Sequence, residues 1–210
     1  MVVSARWTGF GKAVAGGVLA VLLAGCSSGG SGGTPDGAQP GGQKKAVAAV
    51  PQDLGKLIIP GIEDLPSGWS MGKEADLYVY DDPCDGAICG FRYSVTAQLT
   101  GPGGSSGAKV KVASMESADK AKAVYESKLE PQDWRKTSLQ QVGDMSAGFT
   151  STSGSLRIEL TVGTVFAEIT HGVTKGAPSP ALLEALARAV AERAQQAQNG
   201  DRPTARFTTA

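Results

Sequence analysis

The 210-residue sequence predicts an α+β fold, in which two helices cover an antiparallel sheet in the order βββα-βββα. Apolar and polar residues alternate in two groups of segments, and this period of two is typical of strands with one covered face. Each group is followed by a segment whose apolar residues recur three and four positions apart, as on the buried side of a helix. A stretch of small and polar residues comes before the whole pattern. The sequence therefore predicts a single domain behind a flexible tether.

The first half of the domain contains three predicted strands and one helix. A short aromatic strand comes first, a strictly alternating strand follows, and the third comes after a turn rich in glycine and serine. Ser117 is suited to cap the helix, and Pro131 ends it because proline lacks the N–H that a helix interior needs. The predicted strands are 77–80, 91–99 and 109–112, and the helix extends to about residue 129.

The second half repeats this order. Ser179 is suited to cap the second helix and Pro180 to open it. The predicted strands are 145–152, 156–162 and 165–170, and the helix extends to about residue 198, with Leu183, Leu186 and Val190 as its buried stripe. These elements define a domain over 51–198, and we expect a flexible tail over 199–210.

The sheet is predicted to have a polar outer face. In the strand 156–162, the apolar residues alternate with Arg157, Glu159 and Thr161, which are expected to point away from the core. Two amphipathic helices are the natural cover for the other, apolar face. A β-sandwich is disfavoured, because it has no place for two such helices.

Residues 1–25 have the layout of a secretory signal peptide. Arg6 and Lys12 are their only charges, and the uncharged apolar run that follows is too short to cross a bilayer as a helix. The run ends in LLAGC, which resembles the lipobox of bacterial lipoproteins. The resemblance implies cleavage before Cys26 and a lipid attached to its sulfur; the alternative is an ordinary signal peptide with an incidental cysteine. The lipidated tether rich in Gly, Ser and Pro is then 26–50.

The composition argues against several classes of function. The 20 basic and 20 acidic residues balance, whereas a nucleic-acid-binding protein needs a basic surplus to neutralise phosphates. One histidine and three cysteines leave little material for a zinc site or for acid–base catalysis. The sequence therefore predicts no enzyme, no cofactor, no metal ion and no nucleic-acid partner.

Cys84 and Cys89 lie between the first two predicted strands. Outside the cytoplasm, two nearby cysteines are expected to form a structural disulfide. A reactive redox pair is disfavoured, because four residues rather than two separate the cysteines and no neighbouring cation lowers their pKa. An unpaired or metal-bound state is the other alternative.

Three carboxylates, Asp81, Asp82 and Asp85, share the loop that carries the cysteines. Such a group could hold Ca²⁺, but the calcium-loop pattern fails at Pro83 and at Arg92. Aspartate is also an ordinary turn residue, and the sequence favours that interpretation.

Four aromatic residues stand on the first two strands. Tyr78 and Tyr80 are expected to share one face of their strand, and Phe91 and Tyr93 one face of the next. Either pair could line an apolar ligand cleft or pack in the core beneath a helix. The only histidine, His171, ends the last predicted strand; we expect it at the surface, with no catalytic role.

Two further stretches suggest a family. They are DLPSGW at 64–69 and, within 142–170, VGDMSAGFTS with LRIELTVGTVFAEIT. Together with the lipobox and the tether, they resemble small lipoproteins of high-GC Gram-positive bacteria. They are similar in particular to the extracytoplasmic sensor-like domains of some actinobacterial kinases. The resemblance implies an α+β fold with a cleft and a ligand-binding or signalling role, and it carries over no catalytic residue.

We therefore expect a lipoprotein held on the extracytoplasmic face of the cell membrane by the lipid on Cys26. Its domain is expected to act as a ligand-binding or sensor-like module, with a small apolar ligand or an envelope protein as partner. Two alternatives remain open. One is a structural or chaperone-like lipoprotein that binds partners by strand addition or through an apolar patch. The other is an envelope hydrolase.

Overall fold

The computed structural model describes residues 47–82, 84–85 and 88–208. Its strands are β1 (Ser70–Val79), β2 (Cys84–Asp85), β3 (Ile88–Cys89), β4 (Phe91–Thr100), β5 (Ser106–Met115), β6 (Trp134–Thr137), β7 (Met145–Ser151), β8 (Leu156–Val162) and β9 (Val165–Val173). Its helices are α1 (Gln52–Gly55), α2 (Ala118–Ser127) and α3 (Pro180–Gln198). The predicted signal peptide, Cys26 and most of the predicted tether lie outside the described residues.

Seven strands form one antiparallel sheet in the order β1-β4-β5-β9-β8-β7-β6, and β2 pairs with β3 in a separate ladder. The predicted α+β class and antiparallel sheet are therefore confirmed. The two long helices follow β5 and β9, as the predicted order requires. The hydroxyl oxygens of Ser117 and Ser179 accept backbone hydrogen bonds from the first turns of these helices, so both predicted caps are present.

The larger core lies between one face of the sheet and α3. The predicted stripe of Leu183, Leu186 and Val190 is completely buried there. It packs on apolar residues of the central strands, such as Val112 on β5 and Ile158 on β8. Burial of branched side chains on both elements is the main force that holds α3 to the sheet.

The smaller core lies on the opposite face, beneath α2. Ala121, Val124 and Tyr125 of this helix pack against Met115 of β5 and Phe166 of β9. The expectation that both helices cover one face is therefore wrong, because each helix covers its own face. Alternation alone could not reveal this, since it shows which side chains share a face and not what covers that face.

Two features of the sheet were not predicted. The strand β6 has only four residues, and its central residues Arg135 and Lys136 are exposed, so it carries little alternation. The strand β1 starts at Ser70, seven residues before the prediction, and its pairing with β4 shifts register after Met71 and again after Lys73. Such bulges disturb the period of two on which strand prediction depends.

The chain termini of the domain also differ from the prediction. Phe207 is only 1 % exposed, and its ring packs edge-on against Trp69 with centroids 5.3 Å apart. The segment 199–208 is thus part of the domain and not a separate flexible tail. At the other end, Val50 is fully buried although it falls within the predicted tether.

In the described part of the chain, no helix combines the length and the hydrophobicity that a membrane span requires.

Candidate functional site

A groove of about 560 Å³ lies between the segment 56–63 and the edge strand β1. Its volume falls in the range of small-molecule sites. Apolar side chains from both walls line it, and they are Leu57, Ile59, Pro60, Ile62, Met71 and Ala75. Polar and charged residues also line it, and they are Lys56, Glu63, Ser70, Glu74 and Arg193. A lining that combines apolar side chains with polar groups is typical of small-molecule sites.

Local sequence explains how one wall of the groove is built. Two 3₁₀ turns, Lys56–Ile58 and Ile62–Asp64, flank Pro60 and Gly61 and redirect the chain. Ile58 and Ile59 anchor this segment in the larger core. Ile62 points the other way and is 64 % exposed.

Arg193 joins this wall to the rest of the domain. Its Nη1 donates to Asp64 Oδ2 at 2.9 Å and to the Ala205 carbonyl at 2.7 Å, and its Nε donates to the Leu57 carbonyl at 2.7 Å. Burial lowers the pKa of Arg193, while the nearby Asp64 carboxylate opposes that effect. At 3 % exposure, the guanidinium connects α3, the groove wall and the C-terminal segment.

Sequence reasoning missed Arg193, although a signal was present. The residue follows Val190 by three positions and so falls within the stripe that α3 buries. A charged residue in a buried register needs a partner of opposite charge. The pattern could have identified Arg193 as half of a buried ion pair, but not Asp64 as the other half.

Tyr93 lies apart from the other three predicted aromatic residues. Tyr93 is buried in the larger core, where its hydroxyl donates to the carbonyls of Val50 and Pro51 at 3.3 and 3.2 Å. Burial raises the Tyr93 pKa to about 12. Phe91 lies in the smaller core on the opposite face. The expectation that Phe91 and Tyr93 share a face is wrong. Two positions separate them on β4, but their partners on β5, Met115 and Ser114, are neighbours, so a bulge between them turns the side chains to opposite faces.

Tyr78 and Tyr80 extend outward from Phe91. The rings of Tyr80 and Phe91 have centroids 5.1 Å apart, and those of Tyr78 and Tyr80 are 4.9 Å apart. Tyr78 is 62 % exposed at the end of this row. None of the four aromatic residues lines the groove along β1. Of the two alternatives that the sequence left open, Phe91 and Tyr93 therefore pack in the core and do not line this groove.

A disulfide joins Cys84 to Cys89, which face each other across the β2–β3 ladder. Next to it, Asp82 Oδ1 accepts a hydrogen bond from the Cys84 backbone at 3.0 Å, an arrangement typical of a turn. Asp81 and Asp82 are exposed. Within residues 47–82, 84–85 and 88–208, no three metal-ligating side chains come together.

His171 is buried, contrary to the expectation of a surface position. Its Nδ1 lies 3.0 Å from the carbonyl oxygen of Gly107 on the neighbouring strand β5. Because β9 continues to Val173, His171 sits within a paired strand, opposite Ala108 and Leu156.

A charged cluster lies on the α2 face of β8, where the sequence predicted an outward-facing polar row. Arg157, Glu159 and Thr161 are all buried. The Arg157 guanidinium stacks over the Trp134 ring, with its carbon 4.2 Å from the ring centroid. Burial raises the Glu159 pKa to about 7; Arg157 acts against this shift and Glu168 adds to it. The sequence missed the cluster because alternation does not show that α2 covers this face.

Comparison with known proteins gives one structural neighbour. No protein-family model matches the chain. No curated protein matches it either. The extracellular domain of PknH from Mycobacterium tuberculosis is similar in structure, with a TM-score of 0.49 and 12 % sequence identity, over 74 % of this chain and 100 % of that chain. That degree of similarity does not establish a shared activity.

Proposed function

We propose that this protein is a lipoprotein of the extracytoplasmic membrane face, and that its domain binds a small apolar ligand in the groove along β1. The observation that carries the proposal is the groove itself, with about 560 Å³ of space between two walls that both carry apolar side chains. Its volume would suit a molecule of the size that ordinary ligand pockets accept.

Exposed apolar surface at the groove supports ligand binding. Ile62 is 64 % exposed, and Met71 and Leu57 line the opposite sides of the same space. Each Å² of apolar surface that ligand binding removes from water contributes about 25 cal/mol to the binding free energy. An apolar ligand therefore gains most of its affinity from Ile62 and its neighbours, while Ser70 and Glu74 supply polar contacts.

Sequence and redox chemistry support the location. The LLAGC sequence would place a lipid on Cys26, and the chain after it is rich in glycine and serine. Two acyl chains make a durable anchor where one chain gives only marginal binding. The disulfide between Cys84 and Cys89 fits an oxidising compartment, because cytosolic thiols are kept reduced.

The two other functions have less support. Strand addition would use the free edge of β1, but that strand has two register shifts and exposed charges at Lys73, Glu74 and Asp76. Bulges and charges are the features by which sheets prevent pairing at their edges. A hydrolase with a histidine base would need His171, which is buried against the Gly107 carbonyl.

Native mass spectrometry of the full-length protein purified from its own membrane tests the proposal. We expect a retained mass on the wild type and its loss in Ile62→Asp, because a carboxylate in the groove opposes an apolar ligand. Val79→Asp is the matched control, since Val79 is also an exposed apolar residue but does not line the groove. Equal retention by both variants, or no retained mass on the wild type, contradicts the proposal.

A further inference from the structure

The helix α2 covers a carboxylate that has no hydrogen-bond donor. Glu159 is 0 % exposed, and neither of its carboxylate oxygens has a hydrogen-bond partner within the described residues. Arg157 Nε lies 3.4 Å from Oε1, an ionic contact without the geometry of a hydrogen bond. The hydroxyl of Thr161, next on the same face of β8, is likewise buried without a partner.

The groups around Glu159 do not compensate a full negative charge. Glu168 is its direct partner on β9, so two carboxylates face each other across the strands. Arg157 is shared between them, because its Nη1 lies 4.0 Å from Glu168 Oε2. The other groups that face Glu159 are Tyr125 of α2, Lys128 just after α2, and the uncharged Ala147 of β7. On β5, Lys111 is the register partner of Glu168, on the side of β9 away from Glu159.

The helix above this cluster is held less firmly than α3. Only three of its ten residues are buried, and they are Ala121, Val124 and Tyr125. In α3, ten of the nineteen residues are buried. Elements with few buried apolar contacts open at lower free energy than the rest of a domain.

We propose that α2 is a pH-responsive lid, which lies closed over β8 while Glu159 is protonated and lifts when Glu159 loses its proton. A neutral carboxylic acid tolerates burial beneath Val124 and Tyr125, whereas a carboxylate without donors does not. Lifting α2 admits water to the Glu159 oxygens and to the Thr161 hydroxyl. The device uses the face opposite the larger core and shares no residue with the groove, so it is independent of the proposed ligand.

The pH range of the device follows from the burial of Glu159. Its pKa of about 7 in the closed state compares with the usual value of 4.5 in water. Between pH 6 and pH 8 the closed state would change from mostly protonated to mostly ionised. With these two pKa values, the ratio of open to closed α2 should rise about tenfold across that interval.

Hydrogen exchange of the full-length protein at pH 6 and pH 8, corrected for the intrinsic rates, tests the lid. We expect the protection of Ala118–Ser127 to fall about tenfold at pH 8 and to lie below that of Pro180–Gln198 at both pH values, because α2 opens without unfolding of the whole domain. In Glu159→Gln, α2 should keep the same protection at both pH values. Glu126→Gln is the matched control, because it removes an exposed carboxylate of the same helix and should leave the pH response intact.

Three results would overturn the lid. They are equal protection of α2 at the two pH values in the wild type, a pH response that survives in Glu159→Gln, or a protection of α2 as high as that of α3. The wild-type measurement stands by itself if the glutamine variant fails to fold.

Discussion

Removing the Arg193 side chain should strongly destabilise the domain, because this buried cation holds three segments together. Arg193→Met leaves the Asp64 carboxylate largely buried without its cation and leaves the carbonyls of Leu57 and Ala205 without their donors. Breaking a buried ion pair by removing one partner costs about 3–5 kcal/mol. For a domain of this size, each kcal/mol lowers the melting temperature by roughly 2–4 °C, so we expect a fall of about 6–20 °C.

The assay is thermal unfolding of the full-length protein, followed by circular dichroism. Arg188→Met is the matched control, because Arg188 lies on the same helix, is exposed, and donates to the side chain of Gln140. That variant should shift the melting temperature by no more than about 2 °C. The double variant Asp64→Leu/Arg193→Met should recover part of the loss, since it leaves no uncompensated buried charge. If Arg193→Met melts at the temperature of Arg188→Met, the pair is not a structural clamp.

Three further predictions concern other parts of the chain. Because the Glu159 pKa is higher in the folded state, at about 7, than in the unfolded chain, at about 4.5, unfolding should become easier as pH rises through this window, by about 3 kcal/mol in total. Denaturant titrations at several pH values should show this decline in the wild type and not in Glu159→Gln. If the free energy of unfolding of the variant falls with pH as much as that of the wild type, the prediction is refuted. Replacing Cys84 and Cys89 by serine should lower the free energy of unfolding by about 2 kcal/mol without abolishing the fold, and free thiols found by alkylation of the unreduced wild type would contradict the bridge. The Cys26→Ser protein should be lost from the membrane fraction or keep its signal peptide. If this variant fractionates and is processed like the wild type, lipid anchoring is ruled out.

Much of the fold could be predicted because several strands alternate apolar and polar residues along the sequence. Strands β4, β5, β7, β8 and β9 have the alternation that an antiparallel sheet requires, and both long helices begin at the serines suited to cap them. The short strand β6 and the first part of β1 were missed, and both lack a period. The short strand β6 has two exposed cations at its centre, and β1 is bulged.

The candidate groove could not be predicted from periodicity. Its walls come from the irregular segment 56–63 and from the bulged end of β1, and neither has a repeating apolar pattern. The four aromatic residues were the stronger sequence signal, but a single bulge between Phe91 and Tyr93 sends these two to opposite cores. One extra residue in a strand reverses the face of every side chain beyond it, and no composition rule reveals where it falls.

The remaining errors have one physical cause. Periodicity shows on which face of its element a side chain lies, but not whether another element packs over that face. Glu159 was placed correctly on the face opposite Ile158, yet α2 buries that face. Arg193 was not predicted, although it falls on the stripe of Val190, and the terminal segments enclose it and supply its partners. A charged residue in a buried register costs free energy unless something compensates its charge. Arg193 has such compensation in Asp64 and two carbonyls, whereas Glu159 shares one arginine with Glu168 and accepts no hydrogen bond from the residues that the structure describes. This difference explains why the first residue should stabilise the domain and the second should respond to pH.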